Sequence, residues 1–155
     1  MKLRKSYSGG KIMLDINAPI IPFVEMGNIK LYSTINELTP MLNSSKAHSV
    51  KLNESWVRYD IDNVLMLFFH IGNQKLFKIC TQSGYKGKLL NSICTETSED
   101  ALISLDPDIV YDDFEEVWES PKGYFIETDV ETGKASWISI FIKEVFDEDF
   151  ETANW

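Results

Sequence analysis

Apolar and polar positions alternate most clearly in the last third of the chain. From Ser136 to Ile142, Ile138, Ile140 and Ile142 share one side while Trp137, Ser139 and Phe141 share the other, the two-residue period of a β-strand. Gly123 to Asp129 is similar in composition, and Glu131-Thr132-Gly133-Lys134 between the two supplies the glycine of a short hairpin loop. With the acidic run before it, the stretch Asp106 to Ile142 reads as three strands joined by two turns.

Upstream, the pattern predicts a meander. Ser49 to Leu52, Trp56 to Ile61, Val64 to His70 and Leu76 to Thr81 read as strands, with turn signals at Asp62-Asn63 and Gly72-Asn73. The segment Val64 to His70 does not alternate, which predicts a strand covered on both faces in the middle of the sheet. Ile29 to Ser33 predicts another strand. Thr34-Ile35-Asn36-Glu37 follows it in the Thr-x-x-Glu form of a capping box, opening a short helix limited by Pro40. A second helix is expected where Thr97 or Ser98 precedes Glu99-Asp100, running through Leu102 and Leu105 until Pro107 ends it. Residues 1 to 28, punctuated by Gly9-Gly10, Pro19 and Pro22, predict an edge strand or a loosely held arm, and Asp147 to Glu151 a charged tail. No internal repeat is visible. The expected fold is α+β, a single domain over residues 1 to 155: an antiparallel sheet of about six or seven strands with two or three short helices on one face.

Composition changes this picture little. The chain has 155 residues, 44% apolar and 12% aromatic, enough for one buried core and unlike a disordered segment. The longest apolar run, Val64 to Phe69, is far short of the roughly 20 residues of a membrane-spanning helix. The N-terminal residues MKLRKSYSGGKIML are basic but lack the apolar centre of a secretory signal, so a cytoplasmic location is expected. Cys80 and Cys94 are the only cysteines and read as small buried groups, with neither a metal nor another cofactor expected.

Charge changes the picture more. The net charge of −9 divides into 12 basic against 6 acidic residues up to Thr95, and 3 against 18 from Glu96 onward. An acidic half of this kind orients a positively charged partner during encounter and disfavours direct nucleic-acid binding.

Candidate chemistry is sparse. Asp112/Asp113, Glu115/Glu116 and Glu127/Asp129 are acid pairs that could serve a small enzyme, the last pair sharing one strand face, but carboxylates at such density usually form a solvated surface. His48 and His70 lack motif context; His70 reads as a strand-edge residue facing solvent or a hydrogen-bond partner. The chain contains no GxSxG, HExxH or GxGxxG, and the lysines and glycines of Ser83 to Lys88 miss P-loop spacing and read as a surface turn. What remains is an interaction surface. Asp112, Asp113, Glu115, Glu116, Glu119, Glu127 and Asp129 would provide charge. Trp118, Tyr124, Phe125 and Trp137 are aromatic anchors or core residues, with core packing expected of at least two and Trp118 assigned to the surface.

Four segments add a family likeness: Gly27 to Leu38 (GNIKLYSTINEL), Tyr111 to Trp118 (YDDFEEVW), Lys122 to Asp129 (KGYFIETD) and Ile138 to Ile142 (ISIFI). In this order the chain resembles the immunity proteins encoded beside bacterial polymorphic toxins, particularly those of contact-dependent growth inhibition systems. The resemblance implies a cytoplasmic, non-enzymatic antitoxin that binds the C-terminal nuclease domain of one cognate toxin, one to one. A tRNA-cleaving ribonuclease is the first target class. No individual contact carries over, since each such protein is matched to its own toxin. The alternatives are an acidic secretion chaperone that grips an effector peptide as a dimer, and a small enzyme with a dispersed carboxylate site.

Overall fold

The computed structural model describes residues 12–155. Strands β1 (Glu25–Met26) and β2 (Ile29–Lys30) form a separate two-stranded ribbon around Gly27-Asn28. Helix α1 (Thr39–Leu42) leads into β3 (Ala47–Lys51), β4 (Trp56–Ile61), β5 (Leu65–His70) and β6 (Leu76–Thr81). Helix α2 (Glu99–Leu105) leads into β7 (Val110–Asp112), β8 (Val117–Ser120), β9 (Tyr124–Thr128) and β10 (Ala135–Phe141). The eight strands from β3 to β10 make one antiparallel sheet in the order β3-β4-β5-β6-β10-β9-β8-β7.

That order repeats itself. Each half is a short helix followed by a four-strand meander, and the last strands of the two meanders, β6 and β10, pair at the centre. Because that central pairing is antiparallel, the connectivity of one half maps onto the other by a two-fold rotation about an axis through the joint. Ile140 opposes Ile79 there, and the Thr81 hydroxyl accepts a hydrogen bond of 2.9 Å from the Ile138 N–H.

The fold class is the one expected, α+β with an antiparallel sheet. The extra strand comes from Asp106 to Ile142, which holds four strands rather than three: the acidic run folds as the β7/β8 hairpin, turned at Glu116 with a φ of 57°. The strand predicted for the middle of the sheet, β5, lies third from one edge. It is covered on both faces all the same, with Leu65, Leu67 and Phe69 in the core and Met66 and His70 buried on the other side.

The capping box forms as expected, since the Thr34 hydroxyl accepts from the Glu37 N–H at 3.1 Å and the Glu37 carboxylate from the Thr34 N–H at 3.2 Å. It closes a turn, however, and α1 begins only at Thr39, with Pro40 in the first turn where its missing N–H costs nothing. Ser98 caps α2 by accepting from the Ala101 N–H at 3.3 Å, and the helix ends before Pro107. The strand expected from Ile29 to Ser33 is reduced to Ile29–Lys30. Residues 1 to 11, part of the expected arm, lie outside the described residues.

The core lies mainly on one face of the sheet, with Phe77 and Phe150 extending it onto the other. On the first face Leu65, Leu67, Ile79, Ile126, Ile138 and Ile140 pack against Met26, Ile29, Leu38 and Leu102, all but fully buried. Asp147 to Glu151 is no free tail: Phe150 is buried, and the Trp155 ring stacks on it with centroids 5.3 Å apart and planes 3° from parallel. His70, buried at 3% exposure, is a hydrogen-bond partner, accepting from the Gly72 N–H at 3.0 Å through Nδ1 and meeting Glu151 at 3.2 Å through Nε2.

Candidate functional site

The second face of the sheet carries no α-helix among the described residues; Phe23, Trp155 and the single 3-10 turns at Lys143–Phe146 and Phe150–Thr152 lie against parts of it. Register defines its floor. Asp60, Met66, Cys80, Ser139, Phe125 and Glu119 are successive partners across six strands, so their side chains point the same way. A parallel row runs Arg58, Phe68, Lys78 and Phe141.

Charge is unevenly spread along this floor. On the β4 side, Arg58 is neutralised by Asp60 through contacts of 2.7 and 3.1 Å, and the Lys78 ammonium sits 4.7 Å over the Phe68 ring. Cys80 is 2% exposed, and burial pushes its thiol up to about 11 against the opposing hydrogen bond from Ser139, so it stays protonated and unreactive.

On the other side, Glu115, Glu119 and Glu127 line a hollow of about 320 Å³ with Phe125 and Lys78. Among the described residues none of the three carboxylates takes part in an ion pair. Partial burial raises the Glu119 carboxyl, and the nearby charges of Asp112 and Glu115 raise it further.

A second hollow, about 410 Å³, adjoins the first and shares Glu119, Phe125 and Phe146 with it. Its floor is aromatic. Phe125 lies 4.5 Å from Phe141, and Phe146 and Phe23 meet Phe141 edge-on at 5.3 and 6.0 Å. Gly123 permits that arrangement, because it holds a φ of 102° and a side chain there would lie 2.5 Å from the Phe23 ring.

The sequence-predicted site residues therefore do not form one patch. Glu115, Glu119 and Glu127 come together on the open face. Asp112 stands beside them, but its carboxylate is occupied by the N–H groups of Phe114 and Glu115, at 2.9 and 3.1 Å. Asp113 and Glu116 are exposed near Tyr111, whose hydroxyl is raised by desolvation and then by their charges. Asp129 does not share a face with Glu127: it folds into the β9–β10 turn, accepting from Glu131 and Thr132 N–H at 2.9 Å each, which holds its carboxyl below the ordinary range.

Trp118, expected at the surface, faces the opposite side of the sheet. It packs against the core and Tyr111, 5.2 Å away, and its Nε1 donates to Glu99 at 3.4 Å. Of the other aromatic candidates, Tyr124 is fully buried, Phe125 half-buried and Trp137 46% exposed. Ser83 to Lys88 is structural: Tyr85 is 1% exposed, donating its hydroxyl to the Ala18 carbonyl at 2.5 Å and accepting from the Gly27 N–H at 2.9 Å.

Sequence reasoning missed Asp106. It is fully buried at the end of α2, where it accepts from Lys122 Nζ at 2.5 Å, Ser120 Oγ at 2.6 Å, the Tyr124 hydroxyl and the Asp108 N–H at 3.1 Å. Burial opposes its charge, yet these donors together hold its carboxyl down at about 2. The arrangement ties α2 to the β8/β9 hairpin and leaves the carboxylate no free lone pair for chemistry.

The aromatic floor was also missed, because Phe23, Phe125 and Phe141 lie in three separated segments. Of the 12 basic residues up to Thr95, 4 fall within residues 1 to 11, outside the described residues, and residues 12 to 95 carry 8 basic against 6 acidic residues. No described group of three or more His, Cys, Asp or Glu is placed to hold a metal ion, and no described helix is long and apolar enough to cross a membrane. No protein-family model, curated protein or solved structure matches the chain.

Proposed function

We propose that this protein is an immunity protein, a stoichiometric inhibitor that binds a toxin nuclease domain one to one in the cytoplasm and obstructs its active site without catalysing a reaction. The observation that carries this reading is the trio Glu115, Glu119 and Glu127: three carboxylates without ion-pair partners, held by strands and a hairpin on a sheet face that no described helix covers. An enzyme that cuts nucleic acid presents a positive cleft to phosphates, and a fixed set of carboxylates can fill that cleft in place of substrate. The excess negative charge beyond Glu96 would steer the encounter, and the aromatic floor would supply apolar contact area. The resemblance of the four segments points the same way and makes a tRNA-cleaving ribonuclease the first target to try.

The test uses the open reading frame next to this one. Its C-terminal domain, co-expressed with this chain, should co-purify with it at one to one and lose its RNA-cleaving activity in the complex. Failure to bind, or binding with cleavage unimpaired, overturns the reading. Light scattering of the chain alone separates it from a chaperone, which would be a dimer.

A further inference from the structure

The two hollows of the open face meet at Glu119 and Phe125, register partners on β8 and β9. We propose that this junction receives an arginine side chain presented by the protein partner, its guanidinium lying against the Phe125 and Phe146 rings and between the carboxylates of Glu119 and Glu127. This rests on the reading above that the open face meets a positively charged protein.

Three features select such an occupant. The first is the contrast among carboxylates. Asp60 has Arg58, and Asp106 and Asp108 have Lys122, whereas Glu119 and Glu127 have no cation of their own among the described residues. Glu119 is moreover partly desolvated and crowded by the charges of Asp112 and Glu115, a strain that a bound cation relieves.

The second is the aromatic surface. Phe125 and Phe146 meet edge-on at 6.3 Å, and Phe146 is 64% exposed and lines both hollows. A guanidinium is planar and weakly hydrated, so it stacks on such rings while its fork bonds carboxylates, a combination that a compact, strongly hydrated ammonium performs less well. The third is the position of the groove's own lysines. Lys78 lines only the first hollow and Lys143 only the second, while Glu119 lines both. Glu119 is thus the one carboxylate that the two hollows share, and neither lysine lines the part common to both.

The test is independent of the toxin. Ac-Gly-Arg-Gly-NH2 is titrated into the isotope-labelled full chain while backbone amide shifts are followed by NMR, beside the same peptide with citrulline, the neutral isostere of arginine. The expected result is saturable shifts confined to β8, β9 and residues 143 to 146, at least about tenfold weaker for citrulline and for the variants Glu119→Gln and Phe146→Ala. Shifts spread over the whole acidic half, or unchanged by citrulline or by Glu119→Gln, overturn the proposal. The two readings fail separately. If the toxin domain binds but the peptide does not find the junction, the arginine inference falls alone; if the peptide binds there but the neighbouring gene product does not, the immunity reading falls.

Discussion

Glu119 and Phe125 face each other across the β8/β9 ladder, so a carboxylate without an ion-pair partner among the described residues and a half-buried aromatic ring stand side by side on the face of the sheet that no described α-helix covers. Such a pair can be neutralised and desolvated together by one incoming cation. Combined replacement Glu115→Gln, Glu119→Gln and Glu127→Gln should slow association with the toxin domain by about tenfold or more at low salt, with a smaller effect at high salt. Stopped-flow association rates at two ionic strengths check this, and circular dichroism should show the fold unchanged.

Asp106 belongs to stability rather than binding. Asp106→Ala leaves the Tyr124 hydroxyl without its acceptor in the interior and should cost about 2 to 4 kcal/mol, less than a fully buried ion pair because the Lys122 ammonium reaches solvent. Urea denaturation measures it.

The same carboxylate makes stability depend on pH. Its folded value of about 2 lies below the ordinary 3.8, so its contribution is present above pH 4 and is lost as pH falls toward 2, on the order of 2 kcal/mol in all. The slope of stability against pH over that window should shrink in Asp106→Asn. An unchanged slope would assign the acid sensitivity to other groups.

Gly123 holds the groove open for Phe23. Gly123→Ala combines a left-handed backbone with a methyl group 2.5 Å from the Phe23 ring, and should cost about 1 to 3 kcal/mol and displace that ring. Thermal denaturation and the Phe23 ring resonances report the two effects separately.

Phe150 anchors the C-terminal segment against Phe77, Trp56 and Trp155, with ring centroids 5.3, 6.4 and 5.3 Å away. Phe150→Ala should cost about 3 to 5 kcal/mol and expose His70, which hydrogen exchange of the β5–β6 turn would show.

Much of the sheet was legible because hydrophobic alternation is a local signal. Ile138, Ile140 and Ile142 announce their strand without help, and Asp62-Asn63 announces its turn through residues that tolerate positive φ, 46° and 55° here. The β7/β8 hairpin was hidden because its turn and strand ends are almost wholly acidic, so charge masked the period. The order of strands is not a local property at all: paired residues of β6 and β10 are about 60 positions apart, and only the assembled sheet shows that these strands form its centre. The site divided in the same way. Glu119 and Glu127 could be nominated from charge, but Trp118 and Phe125 could not be assigned to opposite faces without the register, and Asp106 gives no sign in sequence that four donors converge on it.

The central claim is that the sheet face bearing Glu119 and Phe125 meets the proposed toxin partner, and hydrogen exchange of the chain with and without that partner domain tests it most directly. The account predicts slowed exchange in β8, β9 and residues 143 to 146, with α1 and α2 unaffected. Protection confined to the helical side of the sheet, with those strands unchanged, would contradict it.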